Sequence, residues 1–453
     1  MPHDDPPCDV QRCPALPGLN GRWLTLRPPV IWLAAFLMVA SAASAVATEA
    51  PVTRIELHLD EPLAGRSVPW PVTTAVPFPR GALRDAAQCR LVDDRGTEQP
   101  LQARVAATWD QAASSIRWLT VDFISQPGCR YFLEFGADVR RASADTLGTP
   151  TVRVVQAAPN AAPRVETGPL RVTFAGNKPD DKAAVAPFAG AITISLDLDG
   201  DGRFSPTVQV ATLPPEGRYY LDQAGTRYQA ATASVNVESA GPVRATVRVD
   251  GRYVGPDGSS IVDFRTRYHF FAGLPLIKVV DEFRPVGSTR GVRFKDIAFG
   301  VRLVSPTCEP AVATDPRSLA VNVVPEMEGE KPAVSSSPTP LTIEPMRISW
   351  TPGTQSVSSY QSLYRHLGND AYEAAVVATG SFGQRRLSQT DRAAAWMQWA
   401  DGRVAVTGSL RWFWQQFPKE WEATCDGLTL HTWSPRGGEL DFGAQGIRKF
   451  LGE

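Results

Sequence analysis

The sequence predicts an all-β protein: a small N-terminal barrel or sandwich, then a larger antiparallel β-sandwich. Apolar and polar residues alternate along most of the chain, with little of the three-to-four-residue recurrence that marks amphipathic helices. The 453 residues include 39 Pro and 36 Gly, which cut the alternating runs into short pieces with turn chemistry between them. That length exceeds one ordinary domain and fits two or three. Hydrophobic residues make up 43% and charged residues 21%, and the formal net charge is −1. This is the balance of an ordinary globular protein, without the basic footprint of a nucleic-acid partner.

Residues 1–47 read as an export signal rather than as fold. Arg22 and Arg27 precede an apolar run at 30–40, and Ser44-Ala45 and Val46-Ala47 offer small-residue cleavage choices. The run is short for a membrane span, so a secretory signal is the first reading and an uncleaved anchor the second. The expected location is therefore secreted or periplasmic. Removing the signal leaves Cys89, Cys129, Cys308 and Cys425. In an oxidising compartment these can pair, and Cys89–Cys129 with Cys308–Cys425 would keep each bond within one module. Buried free thiols are the other reading. No spacing among them suits zinc.

The first module is expected over 48–158, with strands at 54–59, 89–93, 102–108, 115–123, 130–135 and 152–155. Asp94-Arg95-Gly96 and Gln126-Pro127-Gly128 supply turns between them. The stretch 157–164, AAPNAAPR, has linker composition. The second module is expected over 164–442, with strands at 171–174, 192–197, 228–237, 243–249 and 294–303 around a central hairpin. Residues 305–345 turn Pro/Ser-rich and read as a surface excursion. A short helix is expected at 388–399, and 443–453 is a tail.

The chain is organised around 261–283, IVDFRTRYHFFAGLPLIKVVDEF. Two alternating runs meet at Ala272-Gly273-Leu274-Pro275, which has the Gly and Pro of a hairpin turn. Val262, Phe264, Tyr268 and Phe270 fall on one face, and Asp263, Arg265, Arg267 and His269 on the other. The return strand buries Ile277, Val279 and Phe283 and shows Lys278 and Glu282. One face thus packs a core. The other is either a solvated sheet face or the floor of a cleft for an anionic ligand, and spacing alone does not separate the two.

Three further features bear on function. Half of the 12 Trp lie at 396–433, and a strand at 409–417 would put Trp412 and Trp414 on one face. Such aromatics are core by default and stacking platforms for sugar rings if exposed. Asp197, Asp199 and Asp201, followed by Gly202, resemble the opening of a calcium loop. Val208 stands at the twelfth position, where a bidentate Glu is needed, so a plain hairpin turn is the first reading and weak calcium binding the second. Finally, the sequence has no GxSxG, P-loop, GxGxxG after a strand or HExxH. Beyond the signal only His58, His269, His366 and His431 remain for imidazole chemistry. His269 has the most cationic surroundings, whereas His431 reads as a core-edge histidine.

Several long motifs resemble the exo-rhamnogalacturonan lyase family (polysaccharide lyase family 26, YetA-like). They are TTAVPFPRGALRD at 73–85, Pro100-Leu101-Gln102 with Ser115-Ile116-Arg117-Trp118-Leu119 and Asp122-Phe123, YHFFAGLPLIKV at 268–279, RWFWQQFPK at 411–419, and Leu430-His431-Thr432-Trp433 with Pro435-Arg436-Gly437-Gly438-Glu439. Ala75, where the family has Gly, and Gln111-Ala112-Ala113-Ser114, in place of a tight Asp-Gly turn, depart from it. The resemblance implies an N-terminal RIFT-type β-barrel and a central β-sandwich. Full-length members continue into an α/α toroid, for which 443–453 leave no room, so the expectation is a lyase, a lyase-derived fragment or an inactive relative. A non-catalytic carbohydrate-binding protein is the alternative. The implied ligand is an acidic polysaccharide cleaved by β-elimination. That reaction needs the uronate charge neutralised by Arg, Lys or calcium, then a base. By residue type Arg265, Arg267 and Lys278 suit the neutralising role and His269 or Tyr268 the acid–base role. Arg293 and Lys295 extend the cationic surface.

Overall fold

The computed structural model describes residues 52–59, 68–110, 112, 115–158, 161–175, 191–202, 204, 209–286, 291–304, 320–323, 346–350, 353–364, 372–390, 392–393, 395–400 and 404–441. The expected export signal, most of the Pro/Ser-rich stretch, the tail, Cys308 and His366 lie outside the described residues. Within them the chain is strand and turn, with short 3₁₀ turns at Pro215–Gly217 and Pro435–Gly437. No described helix is long and apolar enough to cross a membrane.

The first module has seven strands: β1 (Thr53–Leu57), β2 (Trp70–Pro77), β3 (Cys89–Asp93), β4 (Glu98–Gln99), β5 (Gln102–Thr108), β6 (Ile116–Ser125) and β7 (Tyr131–Phe135). They form two antiparallel sheets, β1-β7-β3-β4 and β2-β6-β5. Alternation puts Leu119, Val121 and Phe123 of β6 against Leu91, Tyr131 and Leu133, all buried. The same alternation leaves Trp118, Thr120 and Asp122 on the outer face. Cys89, Cys129 and Cys425 are free thiols, so the expected Cys89–Cys129 bond does not form. Burial pushes the Cys89 thiol up.

The second module begins with β8 (Arg153–Val155). Sequence placed this strand in the first module, but it pairs with β9 (Arg164–Glu166), on the far side of the linker. There follow β10 (Leu170–Thr173), β11 (Ile192–Leu196), β12 (Gln209–Leu213), β13 (Arg218–Asp222), β14 (Arg227–Ala240), β15 (Arg244–Val254), β16 (Val262–Phe271), β17 (Ile277–Pro285) and β18 (Arg293–Leu303). Strands β13 to β17 pair in chain order, and β18 returns to the other edge of β13. Later strands are β19 (Ala320–Val323), β20 (Met346–Ser349), β21 (Thr354–Tyr364), β22 (Tyr372–Gly380), β23 (Gly383–Thr390), β24 (Trp396–Ala400), β25 (Ala405–Ser409), β26 (Lys419–Thr424), β27 (Gly427–Trp433) and β28 (Leu440–Asp441). β18 carries β27 and β28, and β26 joins β27 to β21. The expected helix at 388–399 is instead the end of β23 and the start of β24. Gln389 pairs with Ala375, and Trp396 and Trp399 pair across to β25, so cross-strand pairing overrides the weak local preference.

The hairpin forms as its turn chemistry requires: Gly273 takes φ 71°, a conformation natural to glycine. The tip is pinned from outside. Gly273 N donates to Thr167 O at 2.7 Å, Thr167 Oγ1 donates to Leu274 O at 2.8 Å, and Ala272 N donates to Val243 O at 2.9 Å.

The inner faces of β16 and β17 oppose β13 and β18. Phe283 meets Phe294 edge-on at 5.4 Å between ring centroids. Across this core Arg218 of β13 reaches Thr266 of β16 and Asp281 of β17, donates from Nε to the Tyr253 hydroxyl at 2.9 Å, and lies 3.8 Å over the Phe264 ring. Burial opposes a charge here, but Asp281 and the tyrosine hydroxyls hold the guanidinium protonated. Arg218→Ala leaves Asp281 without its cation and is expected to destabilise the fold by about 3–5 kcal/mol in urea unfolding. A loss below about 1 kcal/mol, the range of a surface pair, would show that the brace is dispensable.

Candidate functional site

On β15, β16 and β17 every second side chain leaves the core. The register stacks these outward residues in rows: Thr246–His269–Lys278, Arg248–Arg267–Val280, Asp250–Arg265–Glu282 and Arg252–Asp263–Arg284. The structure therefore brings Arg265, Arg267, His269 and Lys278 together on one surface, as the alternation predicts. Tyr268 points inward and is buried.

What alternation does not reveal is how far the cations are already paired. Arg265 Nε donates to Asp250 Oδ1 at 2.7 Å, and Arg248 Nε to Asp250 Oδ2 at 2.6 Å. Arg267 donates to Glu238 Oε2 at 2.8 Å and to Glu282 Oε1 at 2.6 Å, and Arg248 Nη1 to Glu238 Oε1 at 3.1 Å. Glu238 enters this ladder because the β14 register shifts between Val237 and Ser239, and such a bulge re-aims a side chain. Partial burial would raise the carboxyls of Glu238 and Asp250. The arginine hydrogen bonds outweigh it and hold both below the usual range. Both terminal amino groups of Arg265 have no acceptor among the described residues, and Lys278 is exposed with no ion-pair partner among them.

His269 sits where this face meets the barrel. Its Nδ1 lies 3.0 Å from Arg244 Nη2 and 2.9 Å from Thr246 Oγ1. A guanidinium only donates, so Nδ1 accepts and the proton resides on Nε2. Burial, with Arg244 and Lys278 nearby, lowers the imidazole pKa to about 3. The ring is neutral and a weak base. Arg244 Nη1 continues to Asp122 Oδ1 at 3.0 Å on β6, and Thr73 Oγ1 donates to the same oxygen at 2.6 Å. Gln102 Oε1 accepts the backbone N–H of Val243 at 3.2 Å and of Arg244 at 2.9 Å.

The remaining candidates lie elsewhere. Arg293 and Lys295 are on β18, separated from β16 in the ladder by β15, β14 and β13, and Arg293 pairs with Glu439 at 3.2 Å and Asp441 at 3.6 Å. The expected strand at 409–417 does not form. Residues 411–416 are turn, Gln416 N donates to Trp412 O at 3.0 Å, and Trp412 has φ 56°. Trp412 and Trp414 therefore do not share a strand face. Trp412 is 44% exposed beneath Arg411, and Trp414 lies beneath Arg392. Asp197, Asp199 and Asp201 offer carboxylate oxygens within 4.8 Å of one another. Asp197 already accepts from Gly200 N at 3.0 Å and Gly202 N at 2.9 Å, the pattern of a hairpin loop. Hard oxygen donors of this kind suit calcium, but they are half of the ligand set a full loop supplies.

A second polar cluster escapes sequence reasoning because its members are far apart in the chain. His431 Nδ1 lies 2.8 Å from Asp296 Oδ1, and its Nε2 lies 3.7 Å from Glu422. Tyr219 donates to the other Asp296 oxygen at 3.1 Å. Burial would discharge this histidine, but the hydrogen bond to Asp296 and the nearby carboxylate of Glu422 raise it to about 10. It is a core histidine, as its sequence neighbours imply, but one that stays charged at neutral pH.

A small barrel followed by an antiparallel sandwich, with a charged outer face on its central hairpin, defines a two-module β-protein. Residues 61–127 match the PcRGLX-like N-terminal RIFT barrel domain. Residues 215–290, which span β13 to β17 and every row of the site, match the PcRGLX-like protein central beta sandwich domain. In architecture the chain is rhamnogalacturonan-lyase-like over these two domains. No curated protein matches it.

The two histidines predict opposite pH limbs. His431 is raised from 6.5 to about 10, so its stabilisation is complete below pH 6.5 and lost as pH rises toward 10. His269 is lowered from 6.5 to about 3, so its contribution is complete above pH 6.5 and lost as pH falls toward 3. In urea unfolding across pH, His431→Gln should flatten the alkaline limb and His269→Gln the acid limb. A limb that keeps its slope in the variant rejects that assignment.

Proposed function

We propose that this chain is an exported protein that binds a uronate-containing, rhamnogalacturonan-type polysaccharide on the outer face of the hairpin and cleaves it by β-elimination. One observation carries the reading. On the face that falls within the sandwich-domain match, Arg248, Arg252, Arg265, Arg267, Lys278 and Arg284 stand, among the described residues, against Glu238, Asp250, Asp263 and Glu282. The surplus of positive charge suits a polyanion.

In the elimination a base removes the C5 proton, the C4–O bond breaks with its electron pair leaving on oxygen, and a C4=C5 double bond forms. The C5 proton becomes acidic enough only when the adjoining carboxylate is neutralised. The free terminal amino groups of Arg265 suit a carboxylate by their planar fork, and Lys278 adds a point charge. Arg267, held between Glu238 and Glu282, fixes the ladder that positions Arg265. His269 is a fixed hydrogen-bond donor through Nε2 rather than the base.

The weak basicity of His269 favours a second reading, in which these two modules bind the glycan without cleaving it. Absorbance of the conjugated double bond separates the two. Elimination predicts a rise when the purified chain meets rhamnogalacturonan or polygalacturonate. Binding by calorimetry with no rise leaves the binding reading, and neither signal overturns both. Arg265→Ala or Lys278→Ala should weaken glycan binding about tenfold and shift stability by less than about 1 kcal/mol. Unchanged affinity in both variants removes this face from the site.

A further inference from the structure

We infer that the barrel carries a second carbohydrate subsite, centred on Trp118 on the outer face of the β2-β6-β5 sheet and linked to the cationic face of the sandwich. The inference rests on the reading that the ligand is an acidic polysaccharide.

The register sets three rows on this face: Pro77–Trp118–Ala107, Ala75–Thr120–Arg104 and Thr73–Asp122–Gln102. The last row is the junction itself, where Asp122 holds Arg244, Arg244 holds His269, and His269 pairs across to Lys278. A chain of polar contacts through the buried Asp122 and His269 thus links the hairpin face to the barrel. At the far row Trp118 is 38% exposed. Its neighbours in the row, Pro77 and Ala107, are short, and the barrel core beneath is filled by Leu119, Val121 and Phe123. Packing therefore does not explain the exposed indole. Trp109 nearby is also exposed, at 43%, but Arg117 lies over its ring at 5.0 Å and its Nε1 donates to Phe78 O at 2.9 Å, whereas no cation covers the Trp118 ring among the described residues.

An open indole suits the C–H face of a sugar ring, an apolar surface with polar edges. Arg104, one row nearer the junction, is exposed with no ion-pair partner among the described residues and supplies the charge a uronate carboxylate needs. Trp118 and Asp122 are four residues apart on one strand, about 13 Å. This face therefore suits an extended acidic oligosaccharide, with the barrel holding the part of the chain that lies beyond the hairpin face.

Calorimetry with a galacturonic acid disaccharide and a long oligogalacturonide tests this on the purified chain. Trp118→Ala should weaken the long ligand about tenfold and leave the disaccharide affinity and the thermal midpoint unchanged. Arg265→Ala should weaken both ligands. In the unsubstituted chain the long ligand should protect Trp118 from N-bromosuccinimide oxidation. Equal affinity of Trp118→Ala for the long ligand, with Trp118 oxidised at the same rate in its presence, overturns this subsite and leaves the hairpin reading standing. Absence of any binding by the unsubstituted chain overturns both.

Discussion

One guanidinium holds the two modules in register. Arg244 stands at the start of β15 and gives Nη1 to Asp122 of the barrel and Nη2 to His269 of the hairpin. Its own backbone N–H is taken by Gln102 of the barrel. A half-buried guanidinium bonded to a buried carboxylate leaves that carboxylate costly to strand if either is removed, so Arg244, Asp122 and Gln102 depend on one another. The fit is close. A Cβ on Gly241 would lie 2.3 Å from the Gln102 side-chain amide, so a larger residue here would push that amide off the backbone N–H groups of Val243 and Arg244.

The same economy of charge recurs inside the sandwich. Arg218 crosses the core to Asp281, and His431 is clamped by Asp296 and Glu422. Each cation loses its hydration and regains it from fixed oxygens, and each links strands far apart in sequence. The outward ladder differs in kind. Arg248, Arg265 and Arg267 alternate with carboxylates in partly wet surroundings, where each pair adds about 0.2–1 kcal/mol. Its larger effect is to fix the direction of the side chains, so that an incoming carboxylate meets arginines already ordered.

Much of this was legible in the sequence, because strand alternation and turn chemistry are local. The strands at 89–93 and 102–108 form with their expected bounds, and the hairpin turns at Gly273 as predicted. Co-location of Arg265, Arg267, His269 and Lys278 followed from period two alone. What was not legible depends on residues distant in the chain. β2 carries no strong local strand signal, yet it pairs along β6. Trp412 and Trp414, expected on a strand, sit where the chain makes a turn with positive φ at Trp412. No local signal marks the bulge that swings Glu238 into the ladder, nor Asp296 and Glu422 as partners of His431. The motif residues Gln102 and Asp122 carried the family resemblance, yet their role became visible only with Arg244 beside them.

The pinning of the hairpin tip has a consequence for motion. Hairpin ends ordinarily fray first, because their amides bond only to the partner strand. Here Thr167, fully buried, grips both sides of the turn, and Val243 O takes the Ala272 amide. Opening the tip would also require breaking contacts to β15 and to the segment before β10. Deuterium should therefore enter Ala272 and Gly273 as slowly as it enters strand interiors. The row of His269 and Lys278, two residues from the turn, is consequently the stiff end of the sheet rather than its loose end.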